Sequence, residues 1–197
     1  LLFKIKWSKS MSWFSKGFKW IRPIIHTFCI FDRKIILLDI NNISSSKYFY
    51  GNYQYNRKTL SCETFKDYES KLKENFVILD RKNRIKKINN KLKKFRDENI
   101  TVIYNDRTID FVEYPNLCFG KFKKSYLKLP ASFLIAVISG KQNYYAFQGI
   151  DSKGDKSLKN IFGYISNKKQ NNCTTKDYEK VLNTRFLDAI YFLQEDK

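Results

Sequence analysis

Apolar residues recur along this chain in two rhythms, and the clearest change of rhythm falls between Phe76 and Asn105. Phe76, Val77, Ile78 and Leu79 form a continuous apolar run, the pattern of a strand covered on both faces, and Asp80 then offers a carboxylate to the free N–H groups of a helix start. Ile85, Ile88, Leu92 and Phe95 follow at helical spacing, which lines them along one side of a helix and puts Lys86, Lys87, Lys93 and Lys94 opposite. After Arg96 to Asn99 break the pattern, the β-branched and aromatic run from Ile100 to Tyr104 reads as a second strand. A strand, a crossover helix and a neighbouring strand imply parallel pairing.

The same reading extends outward. Ile35 to Ile40 (IILLDI) is the first clear strand, ended by Asn41, Asn42 and the serines 44 to 46. Lys47 to Thr59 has no period and reads as a loop, and Ser61 caps a helix to about Asn75 whose stripe is Phe65, Tyr68 and Leu72. Asp106 to Leu129 is irregular, with a basic patch at Lys121, Lys123, Lys124 and Lys128. Ala131 to Ser139 is the most apolar strand expected, Tyr144 to Gln148 opens a short helix, and Ile161 to Ser166 supplies the fifth strand. Thr174 with Asp177 resembles a capping box, opening a last helix faced by Tyr178, Val181, Leu182, Phe186, Ala189, Ile190 and Leu193. The expected fold is α/β: a three-layer α/β/α body over residues 20–197 with a mostly parallel five-stranded sheet, preceded by a basic aromatic arm over residues 1–19.

Charge changes the picture more than length does. Among 197 residues, 38 are Lys or Arg and 19 are Asp or Glu, a formal net charge of +19 that repels itself unless a polyanion or salt neutralises it. Nucleic acid is the expected polyanion. An anionic membrane is the rival, but the cations are spread along the chain and Asp32, Arg33 and Lys34 interrupt the longest apolar stretch, so no spanning helix is expected. The 17% of aromatic residues against 7 Gly and 3 Pro argues for a folded chain, and the preference for Lys, Asn, Ile, Tyr and Phe points to an AT-rich coding sequence such as an organelle genome.

Residues 1 to 31 carry no acid. There Lys4, Lys6, Lys9, Lys16, Lys19 and Arg22 alternate with Trp7, Trp13 and Trp20, a pattern that lets cations neutralise phosphates while indoles stack on bases or anchor in a pocket. A cationic import presequence also lacks acids and stays open as a reading. Leu1 in the place of Met fits processing, truncation or an unusual start codon. Lys82, Lys86, Lys87, Lys93 and Lys94 suit phosphate contacts that fix position without reading sequence, although a solvated helix face has the same appearance.

Catalysis finds little support. The single histidine, His26, lies in an apolar stretch without a nucleophile motif, and no glycine-rich phosphate loop is present. Cys29, Cys62, Cys118 and Cys173 stand too far apart for a zinc motif and read as reduced, mostly buried thiols. Asp106, Asp110 and Glu113 read as solubilising or paired acids before they read as metal ligands. Neither metal, cofactor nor small-molecule substrate is expected.

Several short matches fall in order. Trp20, Pro23, Arg33 and IILLDI resemble an early W-x-P block followed by an Arg and a strand; FVILDRK resembles F-V-G-T-K; ITVIYNDRT resembles a Y-V-N-x-R-W block, placing Asn105 and Arg107 on its Asn and Arg. Pro130 before FLIAVIS, the strand IFGYISN, and Asn183 before FLDAIYFL continue the order. Together they resemble the family of the universal small-subunit ribosomal protein number two in a diverged organellar form, without that family's turn glycine, its paired N-terminal histidines or room for its helical hairpin between Asp110 and Pro130. The resemblance implies a flavodoxin-like core, no catalytic activity, and a structural place in a mitochondrial small ribosomal subunit, touching ribosomal RNA through Asn105, Arg107 and the lysines, and touching neighbouring ribosomal proteins. Two other classes stay open: an enzyme acting on nucleic acid from a doubly wound fold, and a basic peripheral subunit of a membrane complex.

Overall fold

The computed structural model describes residues 4–13, 19–150 and 154–195. The chain divides into two compact units, Leu1–Val77 and Ile78–Lys197.

The first unit is built from hairpins. Strands β1 (Met11–Ser12) and β2 (Lys19–Trp20), β3 (Ile30–Phe31) and β4 (Lys34–Ile35), β5 (Asp39–Ile40) and β6 (Ile43–Ser44), and β7 (Tyr48–Tyr50) and β8 (Thr59–Ser61) pair two by two, all antiparallel. Two of the turns hold two residues each, Asp32-Arg33 and Asn41-Asn42, all four at positive φ, as a two-residue turn of primed type requires to match the strand twist. Helix α1 (Phe65–Glu74) starts at Thr64, whose side chain accepts from Asp67 N–H. Its Leu72 packs with Phe49 and Cys62 in a small core edged by Phe28, Tyr68 and Val77. The IILLDI run forms no continuous strand: only its ends lie in β4 and β5, and Leu37 is 84% exposed.

The second unit begins with helix α2 (Arg81–Asp97), where Asp80 accepts from Lys82 N–H as the sequence predicts. Then follow β9 (Thr101–Ile103), a 3₁₀ segment Asp106–Phe111, β10 (Asn116–Lys121), a second 3₁₀ segment Lys124–Lys128, helix α3 (Ala131–Ile135) running on into a π-helical segment Ala136–Lys141, β11 (Tyr145–Ile150), β12 (Lys156–Ser166) and helix α4 (Asn172–Glu195). The sheet order is β10-β12-β11-β9, antiparallel throughout. Alternation along the strands sorts side chains to two faces. Leu117, Tyr145 and Phe147 meet Ile88 and Leu92 of α2 on one face, and Cys118, Ala146, Phe162 and Tyr164 meet Leu134, Val137, Ile138, Leu182 and Phe186 on the other. Both faces are therefore dry.

The expected mostly parallel, flavodoxin-like sheet is overturned. Among the described residues the only parallel contact is an isolated bridge between Phe28 and Ser46. Two apolar runs account for the difference. Phe76 adopts a φ of 59°, which no strand tolerates, and Asn52 Nδ2 donates to its carbonyl at 3.2 Å, so residues 76–79 connect α1 to α2 instead of pairing. Residues 131–139 are helical: Pro130 stands at the start, and the buried Leu134, Val137 and Ile138 follow the i, i+3, i+4 spacing that a continuous apolar run conceals. Tyr144 to Gln148, expected as a short helix, lies instead mostly in β11, and the expected loop from Lys47 to Thr59 contains β7.

The outer edge of the sheet at β10 is closed by side chains. Phe119 N–H donates to Gln170 Oε1 at 3.0 Å and Gln170 Nε2 donates to Phe119 O at 2.8 Å; Lys121 N–H donates to Glu179 Oε1 at 2.7 Å.

Candidate nucleic-acid interface

The three tryptophans expected to anchor or stack are gathered with one another. Trp7 and Trp20 meet edge to face at 5.1 Å and Trp13 Nε1 donates to Trp20 O at 3.0 Å, with Trp7 still about a third exposed. Around them Lys4, Lys6, Lys9, Lys19 and Arg22 are exposed; Lys16 lies outside the described residues.

On α2 the lysines divide into two sets. Lys82, Lys86 and Lys93 face solvent. Lys87 and Lys94 turn back over aromatic rings: Lys87 Nζ lies 3.0 Å from the centre of the Tyr114 ring, and Lys94 Nζ lies 4.8 Å from that of Phe95 and 5.3 Å from that of Phe119. Burial, and then the charges of Lys91 and Lys169, push the Lys87 amine down to about 8. Lys91 Nζ donates to Leu117 O at 3.5 Å. Sequence reading missed Lys91 and Lys169; the signal for Lys91 was its place one turn beyond Lys87, whereas Lys169 sits in a loop that no periodicity assigns.

Asn105 and Asp110 are engaged within the fold. Asn105 caps the first 3₁₀ segment, accepting from Arg107 N–H at 3.0 Å while its Nδ2 donates to Asn143 Oδ1 at 3.2 Å. Arg107, Lys121, Lys123 and Lys124 are exposed. Asp110 is held by Arg81 Nε at 2.9 Å and Arg84 at 3.6 Å, and the Arg81 hydrogen bond keeps its carboxyl below the usual carboxylate range. His26 Nε2 shares a hydrogen bond of 2.9 Å with Ser46 Oγ and its ring meets Tyr50 edge-on. Among the described residues no group of His, Cys, Asp or Glu is arranged to hold a metal ion, and no helix is long and apolar enough to cross a membrane. A pocket of about 560 Å³ in the first unit is lined by Phe28, Phe31, Phe65 and Tyr68, with Cys29 and Cys62.

The arrangement therefore offers cations on short aromatic platforms. A family model described as the glycyl-tRNA synthetase beta subunit matches residues 1–197. The chain belongs to that family. The proteins named glycine–tRNA ligase beta subunit in Rickettsia akari (strain Hartford) and Rickettsia felis (strain ATCC VR-1525 / URRWXCal2) are each 33% identical to it, over 200 and 202 residues, covering 98% of this chain and 30% of the relative. That of Rickettsia canadensis (strain McKiel) is 32% identical over 200 residues, covering 98% and 29%. The chain thus spans about 30% of the length of these curated relatives.

Membership in the glycyl-tRNA synthetase beta subunit family overturns the resemblance to the small-subunit ribosomal family. With it fall the structural place in a ribosome, the ribosomal RNA and ribosomal-protein partners, and the assignment to a chain unconnected with any enzyme. The short matches misled because each combines an apolar run with a polar turn, and such pieces recur wherever helices and strands alternate.

Proposed function

We propose that this chain serves as part of a glycyl-tRNA synthetase, working with the alpha subunit that the name of its family implies to join glycine to its tRNA. The match of the family model across residues 1–197 carries this reading. The product is an ester between the glycine carboxyl and a ribose hydroxyl, so the reaction requires an activated carboxyl and two substrates of unlike size. The net charge of +19 supports a role toward the larger, polyanionic one. In this reading Lys82, Lys86 and Lys93 of α2, with Lys87 and Lys94 on their rings, attract the tRNA backbone. Lys121, Lys123, Lys124 and Arg107 extend that surface within the second unit. In the first unit Lys4, Lys6, Lys9, Lys19 and Arg22 form a second surface about the tryptophans.

The bacterial relatives support a compartment with bacterial-type translation as the place of action, the mitochondrial matrix expected from the AT-rich residue usage being one. The test is reconstitution. The chain is combined with the alpha subunit and the remainder of the beta subunit, and glycine transfer to the cognate tRNA is followed with labelled glycine. Omitting the chain should abolish transfer or raise the KM for tRNA at least tenfold; transfer indifferent to its presence overturns the reading.

A further inference from the structure

Where α2 passes the start of β10, three lysines converge without an acidic partner. Among the described residues no carboxylate lies within ion-pair distance of Lys87, Lys91 or Lys169. Lys87 Nζ, screened from solvent, has no hydrogen-bond acceptor and rests on the Tyr114 ring. The loop that carries Lys168 and Lys169 is fastened at both ends. Asn167 Oδ1 accepts from the N–H groups of Glu113 and Tyr114 at 3.0 Å each, Asn116 Nδ2 donates to Asn167 O at 2.7 Å, and the Gln170 amide clasps Phe119. These ties hold the segment carrying Lys169 between the Glu113–Tyr114 backbone and Phe119, and the charges of Lys91 and Lys169 both depress the Lys87 amine.

We infer that Lys87, Lys91 and Lys169 form a docking site for a backbone phosphate of RNA, in which Lys91 and Lys169 touch the phosphate oxygens and Lys87 is a fixed charge behind them. Three gathered ammonium groups repel one another, and an oxyanion between them turns that repulsion into attraction. The rigid loop means that little side-chain freedom beyond the two lysine stems is lost on binding. Lys82 to Lys94 continue the positive run along α2 for about 18 Å at the helical rise per residue, which suits a polymeric backbone better than an isolated anion. The site deepens the tRNA reading above and rests on it.

The experiment measures binding of labelled cognate tRNA to the full chain by fluorescence anisotropy over a series of salt concentrations. Lys91→Glu with Lys169→Glu should weaken binding more than about tenfold and lower the salt slope by about one to two. Lys66→Glu with Lys73→Glu, the same change of charge on exposed positions of α1 outside the proposed tRNA surface, should weaken it less than about threefold. Lys87→Met keeps the apolar stem on Tyr114 and should weaken binding several-fold while the melting temperature holds or rises, which separates binding from folding. Equal losses in the two double variants, or unchanged affinity in Lys87→Met, overturn the site while leaving the tRNA reading intact. A wild-type chain that binds no tRNA overturns both. Inorganic phosphate and ATP serve as competitors: displacement only at millimolar concentration is expected, and displacement of tRNA by micromolar ATP assigns the lysines to a free nucleotide and overturns the RNA commitment.

Discussion

The two units use apolar residues in opposite ways. In the second, Tyr145, Phe162, Leu92, Leu134 and Leu182 are fully buried between helices and a four-stranded sheet. In the first, Ile25, Phe31 and Leu37 are 73%, 73% and 84% exposed, and Ile35 to Leu38 face solvent as a run. Apolar density in sequence is similar in the two places; what differs is the number of strands that share a surface. A pair of two-residue strands has no face wide enough to cover a side chain, whereas six- and eleven-residue strands in register do.

The largest effect that would break this contrast is a cavity in the second unit. Leu92→Ala should destabilise it by about 2–5 kcal/mol in urea unfolding, because Leu92 is fully buried where α2 packs on the sheet and its truncation leaves a cavity. Next comes Gly120. A Cβ there would stand 2.6 Å from Phe162 Cζ and 3.1 Å from Glu179 Cγ, so Gly120→Ala should cost about 1–3 kcal/mol, while Gly140→Ala, which meets nothing within 4 Å, should be neutral or slightly stabilising by the same assay.

A smaller effect tests the buried amine. Lys87 titrates near 8 in the folded chain and near 10.4 unfolded, so between these values the unfolded state holds more protons and stability gained from this group rises with pH. Lys87→Met should therefore add about 1 kcal/mol at pH 7, after allowance for solvent screening, and the gain should shrink toward pH 10 in parallel denaturation series. The smallest effect belongs to the first unit: Leu37→Ser should change unfolding by less than about 0.5 kcal/mol, and a loss above 2 kcal/mol would show that the exposed run is packed in solution.

Where helix signals were explicit, the sequence was legible. The Asp80 cap and the Ile85-Ile88-Leu92-Phe95 stripe predicted α2, and the last helix appeared where Thr174 suggested, begun by Asn171, whose Oδ1 accepts from Thr174 N–H. Apolar runs without polar interruption were not legible, because a buried helix and a buried strand look alike at that length. Residues 131–139 chose helix and residues 76–79 chose neither. Strand direction was lost with them, since it had been inferred from a central strand that does not form. At the interface, the lysine face of α2 was foreseen as a uniform surface; its division into solvent-facing Lys86 and Lys93 and ring-seated Lys87 and Lys94 depends on Tyr114 and Phe119, which approach from another part of the chain.

The clasp of Gln170 and Glu179 on β10 limits how this molecule can meet another. With those main-chain groups already occupied, a foreign β-segment finds few free donors or acceptors to zip against at that border, so neither fibre growth nor strand donation is favoured there. Association on that flank is left to side chains, and most of those within reach on α2 are cationic.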